Sequence, residues 1–233
     1  MHSGNLAQTT SWLGAFSYEQ VEFPGKPKFH ELMESKKGAL IIGSHLGNLE
    51  IMRALSSFNS KIRLNILVHT KHAETFNRLF KKADETAQLN MIQVSEISPA
   101  TAIMMQDRLA KGEFIVIVGD RVPVNAHADD AKDRTSVVNF LGAPAPFSQG
   151  PYLIASILKC PVYTLFCLRK NDKYEITFEP FAERIKLKRG ARTESLAVYV
   201  QKFAQVLEQQ ALKAPLQWYN FFPYWLEERT EIK

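Results

Sequence analysis

The chain has 233 residues, 45% apolar and 23% charged, with a net charge of +5. This size and balance suit one full α/β domain over residues 1–233 and exclude a disordered or low-complexity chain. No apolar run approaches the roughly 20 residues of a spanning helix, and Met1 to Ser11 is too polar for a signal peptide.

Extended and helical patterns alternate along the chain. Lys28 to Lys37 suits a helix and Ala39 to Gly43 a buried strand. Leu49 to Phe58 is helical, Ile62 to Val68 extended, and Ala73 to Gln88 helical with Phe76, Leu79 and Phe80 on one face. Met91 to Val94 is a short strand, and Pro99 to Ala110 is a helix with proline at its start. Phe114-Ile115-Val116-Ile117-Val118 is a β-branched run closed by Gly119. Arg121 to Phe147 is a long irregular stretch in which Ser136 to Phe140 is the part suited to a strand.

Ser148 to Lys159 suits a helix, with Ser148 as N-cap and Pro151 in its first turn. Pro161 to Leu168 and Tyr174 to Glu179 pair as a hairpin across Lys170-Asn171-Asp172-Lys173. Glu194 to Lys213 is an amphipathic helix with Leu196, Val200, Phe203 and Leu207 at helical spacing. The alternation predicts a single α/β domain with a largely parallel mixed sheet flanked by helices. Cys160 and Cys167, on opposite faces of one predicted strand, do not form a local disulfide, which fits a reducing compartment.

Two polar motifs fall at carboxyl ends of predicted parallel strands, where open sheets bind ligands. His45 follows Ala39 to Gly43, and Asp120-Arg121 follows Phe114 to Gly119, so both reach one sheet edge. His45 and Glu50 would point about 140° apart in a continuous helix. They meet only if His45 sits in a turn, with Gly43 and Gly47 permitting the tight backbone, and Glu50 in the first helical turn. There Glu50 would fix the imidazole tautomer and leave the second ring nitrogen as a base. The alternative is a satisfied loop histidine beside a surface acid.

Arg121 is a fixed planar cation suited to phosphate, carboxylate or an oxyanion, unless it simply pairs with Asp120 or Asp133. Ser148-Gln149-Gly150 opens a helix and offers backbone N–H groups to an anion. No phosphate-loop or dinucleotide glycine pattern occurs, and Ser44 lies outside a nucleophile elbow. His69 and His72 lack a completing ligand for zinc, and Asp129, Asp130 and Asp133 read as a solvated loop, so no metal site is expected. Basic residues at Lys81-Lys82 and from Arg184 to Arg192 favour anionic partners, a lipid surface, phosphates, an acidic carrier protein or nucleic acid, or form a solvated face. Trp218 to Trp225 is aromatic-dense and suits core packing, a pocket wall or a membrane interface.

With these residues in place, the chain resembles the lysophospholipid acyltransferase superfamily and, within it, the bacterial lipid A late acyltransferase branch. His45-x4-Glu50 is similar to the superfamily's histidine–acid motif, and Gly119-Asp120-Arg121-Val122-Pro123 to its second block. Phe140 to Gly150 resembles the third block, Pro161-Val162 the strand that follows, and Gln217-Trp218-Tyr219-Asn220-Phe221 the branch's C-terminal signature. The likeness covers about residues 38–225.

The resemblance implies a glycerol-3-phosphate acyltransferase-like fold, with His45 and Glu50 catalytic. It also implies Asn48, Asp120, Arg121, Ser148, Gln149 and Gly150 at the substrate. It implies transfer of an acyl group from acyl carrier protein or coenzyme A to a lipid-like hydroxyl or amine, with no covalent acyl-enzyme and no cofactor. Nucleic acid is not an expected partner, and the expected place is cytoplasmic, peripheral on the inner membrane. The branch usually carries an N-terminal membrane helix before the histidine motif, and none is seen before His45. Hydrolysis of the same thioester or ester, and non-catalytic binding of acidic lipid or carrier protein, are the competing readings.

Overall fold

The computed structural model describes residues 9–11, 14–16, 20–48, 62–68, 89–93, 98–122 and 134–226. Its centre is a seven-stranded sheet in the order β3-β11-β10-β4-β7-β5-β6. These strands are β3 (Val21–Glu22), β4 (Leu40–Gly43), β5 (Leu64–Val68), β6 (Leu89–Gln93), β7 (Phe114–Val118), β10 (Val162–Lys170) and β11 (Lys173–Ala182). Strands β6, β5, β7, β4 and β10 run parallel, β11 is antiparallel to β10, and β3 is parallel to β11. Two short ribbons stand outside the sheet: β1 (Thr9–Ser11) with β2 (Gly14–Phe16), and β8 (Thr135–Phe140) with β9 (Ala143–Ser148).

The described helices are α1 (Lys26–Glu34), α2 (Pro99–Ala110), α3 (Gly150–Leu158) and α4 (Arg192–Lys213). Side chains of a strand alternate between faces, so the central strands feed two cores. Leu40, Ile42, Ile115, Ile117 and Phe166 face α2, α3 and α4, where they meet Met105, Tyr152, Val200, Phe203 and Leu207. Ile41, Phe114, Val116, Leu165 and Cys167 face the other way, against Phe29 and Leu32 of α1 and Ile176 and Phe178 of β11. A strand buried on both sides must be apolar at every position, which is why Leu40-Ile41-Ile42 and Phe114 to Val118 are unbroken runs.

The α/β architecture with its largely parallel sheet is therefore the one the alternating patterns predict. Pro99–Ala110 and Phe114–Val118 have the predicted bounds, and the β10–β11 hairpin turns on Asn171-Asp172. Three expectations are corrected. The stretch before Ser148 contains a second strand, β9, despite Pro144 and Pro146. In a two-stranded ribbon their missing N–H groups cost no second ladder. Ser148 closes that strand, and Gln149 is the residue before α3, without a side-chain capping bond. Cys160 precedes β10 rather than lying within it, although the two thiols do belong to opposite cores. The helices expected over Leu49 to Phe58 and Ala73 to Gln88 lie outside the described residues.

Strand β8 is fastened to α4 by side chains reaching its backbone. Gln201 Oε1 accepts from Asn139 N–H at 3.0 Å, Gln201 Nε2 donates to the Asn139 carbonyl at 3.0 Å, and Glu208 accepts from Leu141 N–H at 2.7 Å. The β8–β9 ribbon thus covers the aromatic end of the first core, where Phe140 and Phe147 pack edge to face at 5.3 Å.

Both cysteines are free and buried. Burial pushes the Cys160 thiol from the ordinary 9.0 up to about 11 and Cys167 up to about 12, with the Leu40 backbone partly opposing it at Cys160. The unfolded chain therefore releases both protons at lower pH than the native chain does. Stability from this source is complete below about pH 9 and falls as pH rises towards 11 to 12. Urea midpoints measured from neutral to alkaline pH should fall across that window, and Cys167→Ala should make the fall shallower. An identical slope in the variant would show that the thiol does not contribute.

Candidate active site

The neighbouring strands β4 and β7 end side by side, with Gly43 opposite Val118 and the Gly119 N–H donating to the Gly43 carbonyl at 2.9 Å. At Gly119 an added Cβ would stand 2.8 Å from Ile42 Cγ2 and 3.0 Å from the Phe203 ring, so a side chain there would have to displace these two core residues. Two positions beyond each strand's last residue stands a polar side chain, His45 after Gly43 and Asp120 after Val118. His45 and Asp120 meet at this point, as their shared sheet edge predicts.

Asp120 Oδ1 lies 2.9 Å from His45 Nδ1, and Oδ2 accepts the His45 backbone N–H at 2.9 Å. Trp218 Nε1–H donates to the same Oδ2 at 3.2 Å. The carboxylate is 1% exposed while the ring is 28% exposed. A carboxylate is an acceptor, so Nδ1 carries the hydrogen of the bond to Oδ1, and in the neutral ring Nε2 holds the lone pair. The result is an imidazole anchored at its buried nitrogen beside solvent. Tyr224 extends the anchoring, because its hydroxyl donates to the Asp120 carbonyl at 2.9 Å. Burial pushes the Tyr224 hydroxyl far above its usual range; the Asp120 charge adds to this and Arg121 opposes it.

The backbone beyond His45 is held from two sides. Gly47 N–H donates to the Gln217 carbonyl and Asn48 N–H to the Cys167 carbonyl, each at 2.8 Å. Tyr219 N–H donates to the His45 carbonyl at 3.1 Å. Gly47 takes φ +77°, and a Cβ there would fall 2.0 Å from the Cys167 carbonyl oxygen. Gly43, in contrast, is the last residue of β4 and is not among the positive-φ glycines. Residues 45–48 therefore lie between β10 and the segment 217–219, bridged to both.

Segment 214–226 works as a strap over this edge. Gln217 grips the main chain of Arg169 at both ends, accepting from its N–H at 2.8 Å and donating to its carbonyl at 2.6 Å. Trp218 and Tyr224 turn inward onto Phe140, and Trp225 Nε1–H donates to the Phe140 carbonyl at 2.9 Å. Arg121 Nη2 donates to the Tyr219 carbonyl at 2.5 Å, and its guanidinium lies 5.6 Å from the Phe222 ring centre. Its Nε has no partner among the described residues.

The other predicted positions separate. Glu50 lies outside the described residues, as do His69, His72, Asp129, Asp130 and Asp133. The start of α3 spends its donors internally: Gln149 N–H on the Arg134 carbonyl and Gly150 N–H on Ser148 Oγ, while Gln149 Nε2 donates to Thr135 and Ser136. Ser148, Gln149 and Gly150 thus tie α3 to β8. The basic residues Arg184, Lys186, Lys188, Arg189 and Arg192 are exposed beyond Ala182, which pairs with Val162 at the start of β10. That is the end of the sheet opposite His45. Sequence reasoning missed Gln217, Trp218 and Tyr224 as parts of the site, their only signal being the C-terminal signature and its aromatic density.

Removing the Gln217 side chain takes two exposed hydrogen bonds from the main chain of Arg169, a net loss of about 0.5–1.5 kcal/mol for each. Gln217→Ala should therefore lower stability and speed amide exchange at Gly47 and Tyr219, whose bonds join the strap to the histidine loop. Exchange at Ile115 to Ile117 should stay as slow as before, and unchanged exchange at Gly47 would remove the strap from this account.

No curated protein matches the chain. The family model for bacterial lipid A biosynthesis acyltransferases matches residues 16–227, a span that takes in β4, β7, the β8–β9 ribbon and the strap. The chain belongs to this family and is an acyltransferase.

Proposed function

We propose that the chain transfers a fatty or related acyl group from a thioester, on acyl carrier protein or coenzyme A, to a hydroxyl or amine of a lipid-like acceptor. His45 Nε2 takes the acceptor proton as the oxygen or nitrogen attacks the thioester carbonyl. The tetrahedral intermediate then collapses, the carbon–sulfur bond breaks, and the imidazolium returns its proton to the leaving thiolate. The products are the acylated acceptor and the free thiol, with no covalent acyl-enzyme and no cofactor.

The observation that supports this reading is the 2.9 Å contact of Asp120 with His45 Nδ1 beneath a half-open ring. It supports a positioning role for Asp120, the role the sequence reading gives to Glu50, in which the carboxylate stabilises the imidazolium as that forms. Glu50 enters the proposal as a second acid of the motif. Arg121, fixed over Phe222 with Nε unsatisfied, is the cation for a substrate phosphate or the developing oxyanion. Asn48 enters as a substrate contact through the loop that carries His45. The reaction is placed at the cytoplasmic face of the inner membrane, on a peripheral protein.

Transfer is measured by mass spectrometry with an acyl carrier thioester and a total lipid extract. His45→Ala should abolish transfer in a chain that still folds, with a lowered urea midpoint because the buried Asp120 carboxylate loses a donor. Asp120→Asn should lower kcat by a factor on the order of 10²–10⁴. Glu50→Gln should lower kcat as well; a wild-type rate would leave Asp120 as the sole orienter. Full activity of His45→Ala would overturn the mechanism. Acyl release that no acceptor can divert would instead identify a hydrolase acting on water.

A further inference from the structure

Segment 214–226 contains no Asp, Glu, Lys or Arg, in a chain that is 23% charged. Its inward residues, Trp218 and Tyr224, are accounted for by the core. Its outward ones are not. Leu216 is 94% and Phe221 89% exposed, and Tyr219, Phe222, Trp225 and Leu226 are each at least one-third open. This is a contiguous run of apolar and aromatic side chains on a single surface segment, a composition that water does not favour.

The strap does not hide these side chains by folding down, because its backbone is fixed. The Gln217 grip on Arg169, the Tyr219 bond to His45, the Trp225 bond to Phe140 and the Leu226 N–H to the Pro144 carbonyl at 3.1 Å hold it along its length. Cations flank it: Arg121 bonded to the Tyr219 carbonyl, Arg169 and Lys170 at the end of β10, and Lys213 at the end of α4. Among the described residues the acids paired with these cations are Asp172, 3.6 Å from Arg169, and Glu175, 4.0 Å from Lys170, both in surface pairs of little strength. Glu227 and Glu228 follow the strap in the sequence.

We propose that this strap is the membrane-docking surface, with Leu216, Tyr219, Phe221, Phe222 and Trp225 entering the headgroup layer of an anionic bilayer. Aromatic rings with one polar edge favour that layer, and the cationic rim adds attraction to acidic headgroups. A symmetric contact between two copies would set the same cationic rims against each other, which disfavours a second chain as the occupant. The geometry also gives the docking a purpose, which rests on the proposed function. Tyr219 N–H bonds the His45 carbonyl, so the docked strap holds the reactive ring at the depth where a bilayer-embedded acceptor presents its headgroup.

The test is co-sedimentation of the full chain with vesicles of equal parts phosphatidylcholine and phosphatidylglycerol. Wild type should sediment with these vesicles, and Leu216→Ser/Phe221→Ser should lower the partition coefficient about tenfold. Neither residue touches His45 or Asp120. The double variant should therefore keep its rate on acceptor dispersed in detergent micelles while losing about tenfold on acceptor embedded in vesicles. Vesicle binding needs no catalysis, so a chain that binds but transfers nothing refutes the proposed function and leaves the docking surface standing. A wild type that stays in the supernatant, or a double variant that sediments equally well, overturns the docking proposal. So does a wild-type dimer in solution that the double variant converts to monomer.

Discussion

The Asp120 carboxylate is a buried negative charge, and a buried charge persists only where donors surround it. Its donors come from distant parts of the chain: the His45 backbone and ring, and the Trp218 indole. The Tyr224 hydroxyl secures its own carbonyl. One requirement thus draws together the ends of β4 and β7 and the C-terminal strap. It also gives the imidazole its tautomer, because the ring can satisfy the carboxylate only by donating from Nδ1. Fold and chemistry share this single contact.

The strap explains why α4 has the length it has. At about 1.5 Å per residue its 22 residues run about 33 Å. That distance carries the chain from the basic loop at the amino edge of the parallel strands to the carboxyl edge where His45 lies. The loop is tied to the helix start by the Lys186 N–H on the Tyr199 hydroxyl and the Lys188 N–H on Ser195 Oγ. The two surfaces that sequence composition singles out, one basic and one aromatic, are therefore at opposite ends of the sheet. Only the aromatic one adjoins the reactive ring.

Elements with a single dominant local signal were legible in the chain. Phe114 to Val118 is apolar at every position and β-branched from Ile115 to Val118, which suits a strand buried on both faces. Pro99 to Ala110 has proline at its start and Ser98 as a capping acceptor for the Thr101 N–H at 3.1 Å. Strand β9 was illegible because Pro144 and Pro146 mask a pairing that depends on an isolated ribbon rather than on local preference. The Ser148 cap failed for a similar reason. A strand ending on Ser148 claims the residue that helix preference alone gives to the helix.

The sequence by itself determined the alternating architecture, the sheet edge that carries chemistry and the histidine at its centre. These follow from periodicity and from the rule that parallel strands end where ligands bind. It did not determine which carboxylate faces the ring. Glu50 is five positions from His45 and Asp120 seventy-five, and spacing ranks the nearer one first. Glu50 lies outside the described residues; among those described Asp120 meets the ring, because adjacent parallel strands bring their ends within hydrogen-bond reach whatever the length of chain between them. The same reason hid the strap: Gln217, Trp218 and Tyr224 act on residues that only the folded helix α4 brings near.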